Sequence, residues 1–305
     1  MGDIGWDRTV FAMIYPDAVA RHLGIRVLDR IEAAGFEPVA WRVLWHRPAD
    51  LDRFHERNIS QVWQAYLYRL IDQVFAFGPT VALLMADRRP VAAETCHQRL
   101  RMAKGPSAPS DADAGTIRGD LGSVNRVLSL MHSSDSAPDS AAQSAVFAGP
   151  DGFGHGTDRD QLRTMLTMLQ ASRPREERGY LEVLAGLRAR LLAVAWDDLG
   201  ESGREEASAV LDAGPTALVM SDSAERLAAC LPAAHPLAGL LRADFTPAAP
   251  GPDPHQARLT LAPFGIGLDE WECLVLATSR RCWPRRSHPP TSANREGSRD
   301  ICIFP

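Results

Sequence analysis

The chain lacks any run of about 18 or more apolar residues in its 305 positions, so nothing in it reads as a membrane-crossing helix. Its start, Met1-Gly2-Asp3-Ile4-Gly5-Trp6-Asp7, lacks the basic-then-apolar pattern of a secretory signal. We therefore expect a cytoplasmic protein with no membrane partner. Cysteine is sparse as well. Cys96, Cys230, Cys273, Cys282 and Cys302 are odd in number, scattered and without metal-ligand spacing, which excludes a disulfide framework and a zinc site and suits reduced thiols. Strong charge of either sign is missing: a formal net charge of -5 argues against nucleic acid as the main partner. What remains is 45% hydrophobic and 23% charged, ordinary values for a chain long enough to bury two modest cores.

The most informative segments are Gly115-Thr116-Ile117-Arg118-Gly119-Asp120 and Met131-His132-Ser133-Ser134-Asp135-Ser136. The first holds an arginine in a glycine-flanked turn, and guanidinium is a planar, permanently charged fork for phosphate oxygens. The second holds a histidine followed by hydroxyls and an acid. Histidine is a usable nucleophile near neutral pH because much of the unperturbed imidazole is uncharged there. Together they are parts for moving a phosphoryl group through a phosphohistidine.

Coarse periodicity adds an order of elements. Thr9 to Tyr15 reads as a buried strand, Ala18 to Ala34 as a helix closed by Gly35, Val39 to Leu44 as a strand and Ile59 to Phe75 as a helix. Thr80 to Met85 is a third strand, and Val124 to Met131 a fourth that delivers His132. The order βαββαβ predicts an α+β fold, a ferredoxin-like sandwich with an antiparallel sheet.

These landmarks resemble the nucleoside diphosphate kinase family across residues 1–148. Arg8 to Asp17 is similar to the family's first strand and its Lys-Pro-Asp turn, Leu28 to Phe36 to the first helix and its exit, and Gly78 to Met85 to the third strand. The GTIRGD and HSSDS segments complete the sequence. The resemblance implies that His132 takes the γ-phosphate of one nucleoside triphosphate and gives it to a nucleoside diphosphate, with Mg²⁺ arriving on the nucleotide and no protein-held metal. It implies phosphate contacts from Arg118, Arg101 and Ser107, and orientation of the site by Ser134 and Asp135.

Several positions depart from the family. Tyr15 stands where the lysine before Pro-Asp is expected, replacing a cation by a neutral phenol. Ser129 replaces an asparagine at the sugar and phosphate end, Ser133 a glycine, and Gln143 the glutamate that orients the imidazole. The base-stacking phenylalanine falls at Leu67, beside Tyr66 and Tyr68, and an upstream tyrosine has no clear counterpart around Asn58. These departures favour a rival reading, a weak or inactive nucleotide-binding pseudoenzyme with a regulatory or scaffolding role.

The chain also echoes itself. Arg8-Thr9, Gly24 and Trp41 recur at constant spacing as Arg163-Thr164, Gly179 and Trp196; Gly78-Pro79-Thr80 recurs as Gly214-Pro215-Thr216, and Arg118 as Arg242. We therefore expect the fold to be duplicated, with a degenerate second copy over 158–279 whose His132 counterpart is Phe264. It would pack on the first as an intramolecular pseudo-dimer, in a chain open to further homo-oligomerisation. Glycine-rich 149–157 would be the linker, and 280–305 a disordered tail.

Overall fold

The computed structural model describes residues 4–46, 49–54, 65–90, 93–148, 153, 156–246 and 251–282, the side chains of 65–69 and 280–282 excepted. Four strands form one antiparallel sheet in the order β2-β3-β1-β4: β1 (Thr9–Ile14), β2 (Phe36–Leu44), β3 (Thr80–Asp87) and β4 (Met131–Ser133). β1 is buried at every position because both faces of the sheet are covered, which is why it reads as a continuous apolar run. One face turns Val10, Ala12, Ile14, Leu83 and Met85 toward α1 (Pro16–Ala20), α2 (Gly24–Ala33) and residues further on. The other turns Phe11, Met13, Ala82 and Leu84 toward Phe54, Phe75 and Phe147. Phe54 lies in α3 (49–54), Phe75 in α4 (Ala65–Ala76) and Phe147 in α7 (Ala137–Phe147). α5 (Cys96–Lys104) and α6 (Ile117–Leu121) complete this half.

The first predicted helix is two. It breaks where His22 takes a positive φ of 54° and donates its backbone N–H to Val19, while its ring meets Arg173 O at 3.0 Å. β4 also differs from expectation, spanning Met131–Ser133 rather than 124–131. The preceding residues are a loop organised by Asn125, whose Oδ1 accepts from Val127 N and Leu128 N, each at 2.9 Å. A side chain that satisfies two consecutive N–H groups competes with strand pairing.

The expected second sheet is not found among the described residues. Among the described residues from 158 onward there are helices and no strand: α8 (Arg159–Ala171), α9 (Tyr180–Val194), α10 (Glu201–Asp212), α11 (Pro215–Val219), α12 (Ser221–Ala229), α13 (Ala238–Arg242), α14 (Pro254–Leu261) and α15 (Glu270–Cys282). The sequence echoes are thus not copies of the fold. Thr9 opens a strand, whereas Thr164 sits in α8, where buried Leu162 and Leu166 recur at helical spacing. Pro79 precedes the strand Thr80-Val81-Ala82-Leu83; Pro215 instead occupies the first helical position of α11, where its missing N–H costs nothing. Arg188, fully buried, holds the helices together by donating to Leu241 O, Leu218 O and Ala243 O at 3.0, 2.9 and 3.0 Å.

This helical layer, not a second sheet domain, packs on the first half. Leu162 and Leu166 of α8 enter the α2 core, and Gln170 Oε1 accepts from Ile25 N at the start of α2. Gly24 permits that approach, since a Cβ there would lie 3.0 Å from Gln170 Oε1 and 3.1 Å from Leu166 Cδ2. Gly156 O accepts from Trp41 N, so edge strand β2 is paired by its own chain. Trp271 of α15 packs on Phe77 with ring centroids 5.5 Å apart and donates to Arg178 O. The tail expected over 280–305 lies outside the described residues, apart from 280–282 at the end of α15. Because Trp271 is 1% exposed, Trp271→Ala is expected to cost about 3–5 kcal/mol. In calorimetry, the sheet half and the helical half should melt together at the lowered temperature.

Candidate functional site

β4 is an edge strand, and His132 is its central residue, paired with Met13 of β1. The backbone arriving at it is strained: Leu130 has φ of 71°, which a branched side chain rarely adopts. Two contacts hold it there. Leu130 N donates to Asp17 Oδ2 at 3.1 Å, and Leu130 O accepts from Tyr15 N at 2.9 Å. Burial raises the Asp17 carboxyl to about 6, against the pull of Arg21 and the Leu130 N–H.

On the aromatic face, the His132 ring meets Phe54 edge-on at 5.2 Å, and Phe54 in turn meets Phe147 at 5.3 Å. His132 Nε2 lies 2.9 Å from Gln143 Oε1, and Ser134 Oγ donates to the same oxygen at 2.6 Å. An amide oxygen only accepts, so a neutral ring facing Gln143 Oε1 donates from Nε2 and keeps its lone pair on Nδ1. Gln143 thus meets the imidazole with a neutral amide oxygen where a glutamate would bring a negative charge. His46, wedged against Phe75 and Phe147, is held neutral because burial lowers its pKa to about 4.

Arg118 is buried and largely spoken for. Nε donates to Ser129 O at 3.0 Å, Nη1 to Gly105 O at 2.9 Å, and Nη2 to both Met131 O at 2.7 Å and Ser129 Oγ at 3.2 Å. Ser129 thus belongs to the Arg118 cluster. Tyr15 packs edge-on against Phe75; burial pushes its phenol above the ordinary value, with the Arg118 charge opposing. Asp135 is exposed and attracts Arg118. Arg101 is exposed at the end of α5, and Ser107 is half-buried in the following loop. The structure thus joins His132, Ser134 and Gln143 in one network and Arg118 and Ser129 in another, which Tyr15 and Asp135 influence only through charge. The Leu67, Tyr66 and Tyr68 side chains, and Asn58, lie outside the described residues.

Two members of the site were not expected. One is Phe54, the ring flanking the histidine. The other is Lys104, 7% exposed, whose Nζ donates to Ser133 O at 3.3 Å. The signal that could have found it is plain in the chain: Lys104 is the one lysine among 33 Lys and Arg residues. Burial lowers its pKa to about 7, helped by Arg118 and Arg101 and opposed by Asp135. Among the described residues, no group of three or more His, Cys, Asp or Glu could hold a metal ion, and no helix is long and apolar enough to cross a membrane.

The site thus sits on an antiparallel ferredoxin-like sheet, with His132 on edge strand β4 and Arg118 in the first turn of α6, a fold that many activities share. The comparisons give it a family. A family model described as nucleoside diphosphate kinase matches residues 7–152. The nucleoside diphosphate kinase of Geotalea daltonii is 35% identical over 132 residues, 43% of this chain and 88% of that protein. The one from Methanothermobacter thermautotrophicus is 32% identical over 131 residues, covering 43% and 79%. A solved nucleoside diphosphate kinase family protein from Babesia bovis aligns at 24% identity and TM-score 0.41, over 50% of this chain and 95% of that one. The chain belongs to the nucleoside diphosphate kinase family through its first half.

The buried lysine leaves a thermodynamic trace. With its folded pKa near 7, below the unfolded value near 10.5, the unfolded chain binds the extra proton between those limits. Lys104 therefore destabilises the fold below pH 7, and this penalty is relieved as pH rises from about 7 toward 10.5. Lys104→Met should exceed the wild type in stability most at pH 6, with the gap closing toward pH 10 in urea titrations.

Proposed function

We propose that the chain is a nucleoside diphosphate kinase-type phosphotransferase acting through His132. The observation that carries this reading is the His132–Gln143–Ser134 network, in which a neutral ring donating from Nε2 keeps its lone pair on Nδ1. In the first step Nδ1 attacks the γ-phosphorus of a nucleoside triphosphate. The bond to the β–γ bridging oxygen breaks, and the diphosphate leaves with that electron pair. In the second step, a terminal oxygen of another diphosphate attacks the phosphohistidine, and the P–N bond returns its electrons to the ring. The protein's part is positioning and charge stabilisation. Lys104, Arg118 and Arg101 supply cations to this neighbourhood, with Asp135 and buried Asp17 the carboxylates acting on them, so Mg²⁺ fits as a companion of the nucleotide phosphates rather than a resident ion.

A second reading, a nucleotide-binding pseudoenzyme, is favoured by one observation. Arg118 commits its guanidinium to Ser129, Gly105 and Met131, leaving little of it for phosphate. Incubation with Mg²⁺ and γ-labelled ATP, beside a His132→Ala control, separates the two. Acid-labile, base-stable label that requires His132 and chases onto added GDP is expected. Absence of label, with ATP binding still seen by calorimetry, would favour the pseudoenzyme.

Gln143 supplies a further check. Gln143→Glu places a carboxylate against Nε2–H and stabilises the positive charge that develops on the ring. Label should then form about 10-fold faster, the usual scale for a group orienting a catalytic side chain. An unchanged or slower rate in rapid-quench experiments would show that Gln143 does not orient the nucleophile.

A further inference from the structure

The hydrogen-bonding pattern of β4 places two carbonyls on its outer edge. Tyr15 N donates to Leu130 O and Ser134 N to Phe11 O, so residues 130 and 134 bond inward to β1, as does His132 opposite Met13. Met131 O and Ser133 O, on either side of the histidine, face away from β1 by alternation. An edge strand of three residues has little else to hold it. Arg118 Nη2 takes Met131 O, and Lys104 Nζ takes Ser133 O. His132 is therefore gripped from both sides by buried cations, one reaching back from α6 and one from the end of α5.

The two cations differ in kind. A guanidinium keeps its charge at any working pH, whereas an ammonium can lose it when buried. The chain uses arginine everywhere else and has its one lysine at this position. The groups acting on that ammonium are Arg118 from α6, Arg101 from its own helix and Asp135 from the turn after β4. β1 (Thr9–Ile14), also packed on α5, carries no ionisable side chain, and α2 enters the shared core through Val27, Leu28 and Ile31.

We propose that Lys104 is a positioning residue for His132, a clamp on Ser133 whose charge state sets how firmly β4 presents the imidazole. A charge-assisted bond to Ser133 O is roughly twice as strong as the neutral amine's, so the grip tightens when Lys104 is protonated. Protonation midway through the neutral range follows from its burial beside two guanidinium groups. Negative charge arriving with a phosphoryl group draws the proton onto Lys104 and tightens the clamp when the histidine is to react. The inference rests on His132 as the phosphoryl acceptor.

The single lysine makes the test direct. In the full chain carrying ¹³C-lysine, one side-chain Cε resonance reports Lys104; the His132 ring signal, assigned with His132→Gln, is followed in the same titration. We expect a Lys104 midpoint near 7 and an inflection of the His132 signal at the same pH, absent in Lys104→Met. Lys104→Met should form phosphohistidine about 10-fold more slowly at pH 6.5 and match the wild type above pH 9, with nucleotide KM held within about twofold. Lys104→Arg, permanently charged, should flatten the pH dependence. A Lys104 midpoint near the unperturbed value, or a His132 signal indifferent to it, would overturn the proposal. The wild-type titration alone decides this if Lys104→Met does not fold. A His132 signal that follows Lys104 in a protein forming no phosphohistidine would support the clamp while removing the reaction assigned to it.

Discussion

The grip of the Arg118 guanidinium on Gly105, Ser129 and Met131 is the interaction on which the site depends. β4 pairs with one neighbour over three residues, too little ladder to hold a strand against a strained entry at Leu130. A buried cation with several carbonyl acceptors supplies what the ladder lacks. Hydrogen bonds to a charged group contribute about 1.5–3 kcal/mol each, and removing the donor would leave buried carbonyls unsatisfied. The helical half repeats the device: Arg188 gathers carbonyls from α11, α13 and the residues after α13 in the same way.

The two halves meet behind this site. Asn125, which shapes the loop before β4, donates Nδ2 to Thr278 Oγ1 of α15 at 2.8 Å, and Leu128 lies in the core of the helical layer. The approach to His132 is thus packed against the far end of the chain. Surface pairs such as Arg159–Glu32 accompany the contact, but exposed ion pairs contribute little. Leu162, Leu166 and Trp271 do more, because they remove apolar surface from water.

Much of the first half was legible because its signals are local. β1 and β3 are unbroken apolar runs flanked by turn residues, and the Lys-Pro-Asp-like turn, GTIRGD and HSSDS fall in family order. The echoes in the second half mislead because matching single residues at regular spacing says nothing about backbone. Leu162 and Leu166, and Val183, Leu187 and Leu191, follow helical spacing, and that periodicity outweighs the Arg-Thr and Gly-Pro-Thr echoes. The burial of Lys104 is not legible locally, because in isolation a lysine in the last turn of a helix reads as a solvated charge favoured by the helix dipole. Phe54 gives no local signal either, because only the fold brings α3 against β4.

The sequence by itself determined the family of the first half, the order of its strands, and the identity of the histidine and its neighbours. Those depend on residue type and short-range order, which the chain carries openly. Only tertiary structure decided that the described second half is helical, that Arg118 faces carbonyls, and that the single lysine is buried beside the strand that carries His132. Each of those depends on which distant backbone groups are left needing a partner, and that is settled when the elements pack.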